Sequence, residues 1–386
     1  MNTLAMQPVI GVIAGEASGD TLGEEIIQAL LRRFPGARFV GIGGPRMIGA
    51  GLESWHDQER LAVRGLVEVV HRVPELLRMR KKLINQLIAA QPKVVIGIDS
   101  PDFTLGVERR LKRRGIPTVH CVSPTIWAWR PGRIHGIRRA VSHMLTLFPF
   151  EEKLYRDAGV DVTCIGHPLA DLLANGPTQD AAREQLRIPA DAQVVAILPG
   201  SRQNEIEMMA PTFIEVAKRL HALDPTLHFL VPLVTRPTRL LFEERLYRQE
   251  ANELPISMLY GHAHEAMAAA DVVLAASGTA TLEAALLGRP VVIAYRVAAL
   301  TWRIAQRMMR TPFIGLPNIL AGTALCPEFL QDDAPPENLT QAVLNLLHDK
   351  RTRTALSERF VAIREQLALG AADRAAGAIA PFIERA

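Results

Sequence analysis

Short apolar runs that end at glycine or a small polar residue alternate along this chain with longer stretches of helical periodicity. That alternation constrains the fold more than any other feature, because strands separated by a helix rejoin one sheet only as parallel neighbours. In the first half the runs are Val9 to Ala14, Arg38 to Ile42, Val94 to Ile98, Thr118 to Val122 and Met144 to Phe148. In the second half they are Val194 to Leu198, His228 to Val231, Val272 to Ala275 and Val291 to Ala294. Between the first two, Leu22, Ile26, Ile27, Leu30, Leu31 and Phe34 share one helical face, with Asp20 and Thr21 as the expected caps.

A length of 386 residues suggests two domains, at roughly 100 to 200 residues each. Between Gly166 and Asp191 the pattern is broken by Pro168, Gly176, Pro177 and Pro189, which places a junction near residue 175. The expected division is 1–175, 176–335 and a helical tail 336–386, the last from Leu339, Val343, Leu346, Leu347, Leu356, Phe360 and Ile363 at helical spacing. Cys121, Cys164 and Cys326 form no C-x-x-C pair, which argues against a disulfide framework or a thiolate zinc site and for a reduced, intracellular setting. The first residues lack the basic start of a secretory signal, and no run of 18 apolar residues occurs.

In an open parallel sheet, ligands gather at the carboxyl ends of the strands, so four loops draw interest. Gly15-Glu16-Ala17-Ser18-Gly19-Asp20 reads as an ordinary strand-to-helix turn or as part of a site. Arg46 stands where a dinucleotide fingerprint starting at Gly41 needs its third glycine, and no P-loop is present. After Ile98, the carboxylates Asp99 and Asp102 lie three apart, so that Asp102 can cap a helix while Asp99 works as a base. Leu198-Pro199-Gly200-Ser201-Arg202 joins a strand end, a hydroxyl and a guanidinium at a helix mouth, the makings of a phosphate site. Ser277-Gly278-Thr279-Ala280-Thr281 offers close backbone approach, with Glu283 one turn on to accept from ribose hydroxyls. Two such loops in the second half suggest a nucleotide diphosphate there and an acceptor in the first half.

A further segment carries Leu66, Val69, Val70, Val73, Leu76 and Leu77 at helical spacing, among Arg64, Arg72, Arg78, Arg80, Lys81 and Lys82. Two readings fit: a core helix with a solvated basic face, or an amphipathic surface on anionic lipid. Pro74 is expected to divide it, and Met208-Met209 to add weakly to such a patch. A net charge of +4 suits an anionic membrane and anionic substrates without deciding the matter.

Six segments together resemble the motif set of the lipid-A-disaccharide synthase family. They are residues 14–20, Gly97-Ile98-Asp99-Ser100-Pro101-Asp102-Phe103, Ser123-Pro124-Thr125-Ile126-Trp127-Ala128-Trp129-Arg130, Leu198 to Arg202, Ala276 to Ala280 and Leu316-Pro317-Asn318. The likeness runs in order from about residue 9 to about 330, and the Ser123 to Arg130 segment is its most specific part. It implies an α/β fold of the GT-B type, two Rossmann-like parallel-sheet domains facing across a cleft with a helical tail. It implies an inverting transfer of 2,3-diacylglucosamine from UDP to the 6-hydroxyl of 2,3-diacylglucosamine 1-phosphate. It also implies a peripheral place on the cytoplasmic face of the inner membrane, and a homodimer is compatible with it.

By the same resemblance Asp99 is the catalytic base candidate; Asp102, Glu16 and His120 are the next candidates should replacing it leave turnover near normal. Glu16, Ser18, Arg202, Ser277, Gly278, Thr279, Glu283 and Asn318 are the substrate and nucleotide contacts, and the Leu66 to Leu77 stripe is the membrane contact. Arg130 and Arg133 are among the basic candidates for the acceptor phosphate. No cofactor and no nucleic acid is implied. Helix N-termini and a guanidinium would meet the leaving charge, and no acidic cluster argues for a metal. A UDP-sugar epimerase of the same fold would share the nucleotide loops but leave the apolar stripe unexplained. A non-catalytic nucleotide-sugar or lipid-binding protein would keep Arg202 and Glu283 without needing Asp99.

Overall fold

The computed structural model describes residues 7–61 and 66–385, and the side chains among them other than 66–72, 300 and 304. Seven strands, β1 (Val9–Ala14), β2 (Arg38–Ile42), β3 (Leu52–Ser54), β4 (Val94–Ile98), β5 (Thr118–Cys121), β6 (His143–Thr146) and β7 (Val162–Cys164), form a parallel sheet in the order β3-β2-β1-β4-β5-β6-β7. Six more, β8 (Val194–Leu198), β9 (His228–Leu233), β10 (Ile256–Tyr260), β11 (Val272–Ala276), β12 (Val291–Tyr295) and β13 (Glu328–Leu330), form a second parallel sheet in the order β10-β9-β8-β11-β12-β13.

The central strands are buried along their whole length, as Val-Val-Ile-Gly-Ile in β4, Val-Val-Ala-Ile-Leu in β8 and Val-Val-Leu-Ala-Ala in β11 require. Alternate side chains of the first sheet feed two cores on opposite faces. Ile10, Val12 and Ile96 pack with Ile26, Ile27 and Leu30 of the helix Ala17–Arg33. Ile13, Val40 and Val95 pack with Leu83 and Leu87 of the helix Leu66–Ala90 and Val107 of the helix Pro101–Lys112.

In each sheet the strand order reverses direction once near the middle, between β1 and β4 and between β8 and β11. The register Ala14↔Ile98 brings the loops after β1 and β4 side by side, and Ala275↔Leu198 does the same for those after β8 and β11. Ligands of open α/β sheets settle at such switch points.

The chain separates into one compact unit that runs to Pro168 and resumes at Leu367, and a second from Leu169 to Gln366. The helices beyond Pro335 therefore do not form a body of their own. Pro336–His348 belongs with the second sheet, where Glu337 pairs with Arg219 at 2.6 Å. Ala371–Glu384 returns to the first, burying Ala375, Ala376 and Ile379 in its core and pairing Asp373 with Arg32 at 2.6 Å.

Local expectations are corrected in two places. The first helix begins at Ala17, so Asp20 is not its cap. Asp20 is buried in the opening turn and accepts the backbone N-H groups of Gly44, Arg46 and Met47 at 2.8, 3.1 and 3.1 Å, tying the loop after β2 to this helix. Pro74 does not divide the Leu66–Ala90 helix, which runs through it.

Candidate active site

The loops at the first switch point are built around close approach. A Cβ at Gly15 would collide with the Ser100 side chain, so only glycine lets the turn after β1 lie against the turn after β4. Asp99 and Ser100 both adopt left-handed backbone, with φ of 53° and 46°. Such conformations are uncommon outside glycine and gather at functional sites. The bend is fixed from three sides. Asp99 N-H donates to Cys121 O at 3.0 Å, Ser100 N-H donates to Asp99 Oδ1 at 2.8 Å, and Thr104 Oγ1 donates to Asp99 O at 2.9 Å. Asp99 is half-buried beside the exposed Glu16 and Ser18 at the start of the helix Ala17–Arg33. His120 is removed as a reserve base, being wholly buried with Nδ1 2.8 Å from Glu108 Oε1. Asp102 is exposed and paired with Arg133 at 2.6 Å.

The aromatic segment after β5 is held by a buried carboxyl. Trp127 Nε1 donates to Glu151 Oε1 at 3.1 Å, Phe148 N-H donates to Glu151 Oε2 at 3.2 Å, and the hydroxyls of Ser123 and Tyr155 lie 2.7 Å apart. Burial pushes the Glu151 carboxyl up to about 7, against the opposing hydrogen bonds of Ser123, Phe148 and Trp127. Arg130 lies over the Trp129 ring at 4.1 Å, and Trp127 meets Phe150 edge-on at 5.1 Å. The sequence pattern marked Trp127 but not Glu151, whose partners come from a different loop.

Beside Asp99 lies a groove of about 380 Å³ whose apolar walls are Leu61, Val73, Leu76, Leu77 and Phe103. Val73 and Leu77 are 41% and 48% exposed, whereas Leu76 also packs against the core. The same helix buries Met79, Leu83, Ile84 and Leu87, so it is core toward its end and carries exposed apolar side chains before it. Leu66, Val69 and Val70 fall outside the described side chains. Of the methionine pair, Met208 is exposed and Met209 is buried. Among the described residues no helix is long and apolar enough to cross a membrane.

The second switch point carries a pocket of about 490 Å³ that brings Arg202, Ser277, Gly278, Thr279 and Glu283 together. Arg202 sits at the N-cap of the helix Gln203–Leu223, and Gly278 at that of Thr279–Leu286. The backbone N-H groups of Ser201 and Arg202 already have a partner. Glu205 Oε2 accepts from Ser201 N-H at 2.9 Å and Arg202 N-H at 3.2 Å, and Glu205 Oε1 from Arg202 Nη1 at 2.8 Å. Gly200, at φ 128°, makes this possible, since a Cβ there would collide with Glu205. Glu283 Oε2 lies 3.0 Å from His264 Nε2, and that bond raises the imidazole above its ordinary value. Burial, with the neighbouring Glu205 charge, likewise raises Tyr295 at the pocket wall. His264 escaped sequence reading because it follows a short edge strand that apolar runs do not reveal.

Asn318 is fully buried, not open to a ligand. Its Nδ2 donates to Cys326 O at 3.0 Å and Glu328 Oε2 at 3.1 Å, and its Oδ1 accepts from Cys326 N-H at 2.7 Å. Glu328 also accepts from the N-H groups of Ile314 and Gly315, at 2.6 and 3.0 Å, so the Asn318–Glu328 bond ties the 314–318 loop to β13.

The family model for lipid-A-disaccharide synthetase matches residues 10–379. The chain belongs to this family. A lipid-A-disaccharide synthase from Methylobacillus flagellatus is 51% identical over 377 residues, spanning 98% of this chain and 100% of that protein. Another from Aromatoleum aromaticum is 50% identical, over 97% and 96% of the two chains. Among solved structures, a UDP-GlcNAc 2-epimerase from Neisseria meningitidis bound to UDP-GlcNAc superposes with a TM-score of 0.63. It covers 97% of this chain and 100% of its own, at 13% identity, a likeness of fold alone. The epimerase thus shares the two-sheet architecture, while sequence identity along the whole chain joins this protein to the synthetase family.

Proposed function

We propose that this protein transfers 2,3-diacylglucosamine from UDP-2,3-diacylglucosamine to the 6-hydroxyl of 2,3-diacylglucosamine 1-phosphate, inverting the anomeric carbon and releasing UDP. The observation that carries the reading is an apolar groove in one unit lined by Ser100 to Phe103, the residues that directly follow Asp99, complemented by a guanidinium, helix N-termini and Glu283 in the other unit's pocket. An acylated sugar acceptor needs the former, and a nucleotide diphosphate the latter.

In this mechanism the Asp99 carboxylate takes the proton of the acceptor 6-hydroxyl as that oxygen attacks the anomeric carbon from the face opposite UDP. The bond from that carbon to the β-phosphate oxygen breaks, and its electron pair leaves with UDP. Arg202 and the Ser277 to Thr279 turn at the start of Thr279–Leu286 meet the charge that develops there. Glu283 accepts from the ribose hydroxyls, its second role being the bond to His264. Glu16 and Ser18 border the acceptor side, and the exposed Val73 and Leu77 rest against lipid at the inner face of the membrane.

The test is release of UDP from UDP-diacylglucosamine with and without the monosaccharide phosphate, with the product analysed by mass spectrometry. Acceptor-dependent release with a disaccharide product supports transfer. Donor binding with no release supports a binding protein, and an epimerised donor supports the rival enzyme.

A further inference from the structure

The groove beside Asp99 has a cationic end that the reaction scheme does not use. Arg80, in the helix Leu66–Ala90, lines it together with Asp102. Its guanidinium lies across the helix Pro101–Lys112 at Gly106, where any Cβ would collide with Nη1. Its Nη1 donates a long hydrogen bond to Asp102 O at 3.4 Å. Among the described residues it has no carboxylate partner. Partial burial, and after it the neighbouring charges of Arg110 and Arg109, lower its pKa, yet a guanidinium remains charged. Arg133, from outside the groove's lining, donates from Nη2 to Asp102 Oδ1 at 2.6 Å. Arg133 is 24% exposed and Asp102 87%, so the pair is well solvated and readily exchanged.

Two guanidiniums thus reach Asp102, one at its backbone oxygen and the other at its carboxylate, three residues along the chain from Asp99. Val73, Leu76, Leu77 and Phe103 supply apolar walls of the same groove. We propose that Arg80 and Arg133 form the phosphomonoester subsite of the acceptor, holding the 1-phosphate while the 6-hydroxyl reaches Asp99. The inference rests on the proposed function and adds to it the groups that select a phosphorylated acceptor. A phosphate dianion bound by two planar forks outcompetes the exposed carboxylate of Asp102, because bidentate, charge-assisted bonds are the stronger ones. An anionic lipid headgroup has the same chemistry, so the test separates the two sources.

Arg80→Gln, Arg133→Gln and the double variant are assayed in neutral detergent micelles, with 2,3-diacylglucosamine 1-phosphate and with its counterpart lacking the phosphate. Each single change should raise KM for the phosphorylated acceptor by about 10- to 100-fold, the loss of one charge-assisted partner. The double variant should lose the preference for the phosphorylated acceptor, and Arg80→Lys should restore part of it. UDP affinity, measured by calorimetry, should stay unchanged, which also reports an intact fold. A preference that survives in the double variant overturns the subsite. So does weaker binding to anionic vesicles with the micellar preference intact, which would assign these arginines to headgroups. Failure of the unsubstituted protein to turn over either acceptor would instead defeat the functional reading itself.

Discussion

The Arg202 guanidinium lies 2.8 Å from Glu205 Oε1, so the cation at the mouth of the nucleotide-type pocket carries its own counter-ion. Arg202 is 70% exposed and Glu205 24%, which keeps this pair within the roughly 0.2 to 1 kcal/mol of surface ion pairs. Glu205 has a second task, because it also accepts from the Ser201 and Arg202 amides. Replacing Arg202 with Ala is expected to weaken UDP by about 1.5 to 3 kcal/mol, the scale of a charge-assisted hydrogen bond. Glu205→Gln keeps an acceptor for the amides while releasing the guanidinium, so UDP should bind up to a few-fold more tightly. Calorimetric titration decides; if Glu205→Gln matched the loss seen for Arg202→Ala, Glu205 would be what holds Arg202 in its working pose.

Asp99→Asn is a clean probe of the base, because Asn tolerates the left-handed backbone at φ 53° and keeps the Oδ1 that accepts from Ser100 N-H. Turnover is expected to fall by roughly 10² to 10⁴ with UDP affinity unchanged. Near-normal turnover would move the role to Glu16 or Asp102.

Glu151 predicts a pH-dependent order in the aromatic loop. Its folded pKa of about 7 lies above the ordinary 4.5, so the fold prefers the protonated form. The stability it contributes is full below about pH 4.5 and is lost as pH rises to about 7, on the order of 3 kcal/mol at most. Trp127 donates directly to Glu151, so tryptophan fluorescence should titrate in that window. Glu151→Gln should flatten both the fluorescence change and the slope of melting temperature against pH. An unchanged titration in that variant would place the ionising group elsewhere.

Two ends of one helix should respond in opposite ways. Val73→Ser with Leu77→Ser alters exposed side chains, so melting should hold while co-sedimentation with anionic vesicles falls. Leu83→Ala or Leu87→Ala empties core and should cost about 2 to 5 kcal/mol. A large drop in melting temperature for the Val73 and Leu77 pair, with vesicle binding intact, would refute the docking surface.

The strands legible in sequence and those that were not divide along a physical line. β3, β7, β10 and β13 went unrecognised, and these are the four edges of the two sheets. An edge strand is covered less completely, so Leu-Glu-Ser in β3 or Glu-Phe-Leu in β13 needs no continuous apolar run. Central strands are buried on both faces, and the run of Val, Ile and Leu that this demands is visible in the chain itself. The helix-terminal loops at Asp99, Arg202 and Ser277 were legible for a related reason, since they follow directly on such strands.

The sequence by itself therefore determined two parallel sheets, their inner strands and the loops at their carboxyl ends. Tertiary structure decided what those loops are joined to. That Glu205 occupies the Arg202 amides, that Asn318 is spent on Cys326 and Glu328, and that Arg80 reaches Asp102 depend on side-chain directions that spacing cannot give. The return of the helix Ala371–Glu384 to the first sheet is the same kind of fact. Its apolar stripe in Ala375, Ala376 and Ile379 demands a partner, but the hydrophobic effect has no direction. Which surface it covers was settled only when the helix Ala17–Arg33 left a face to fill.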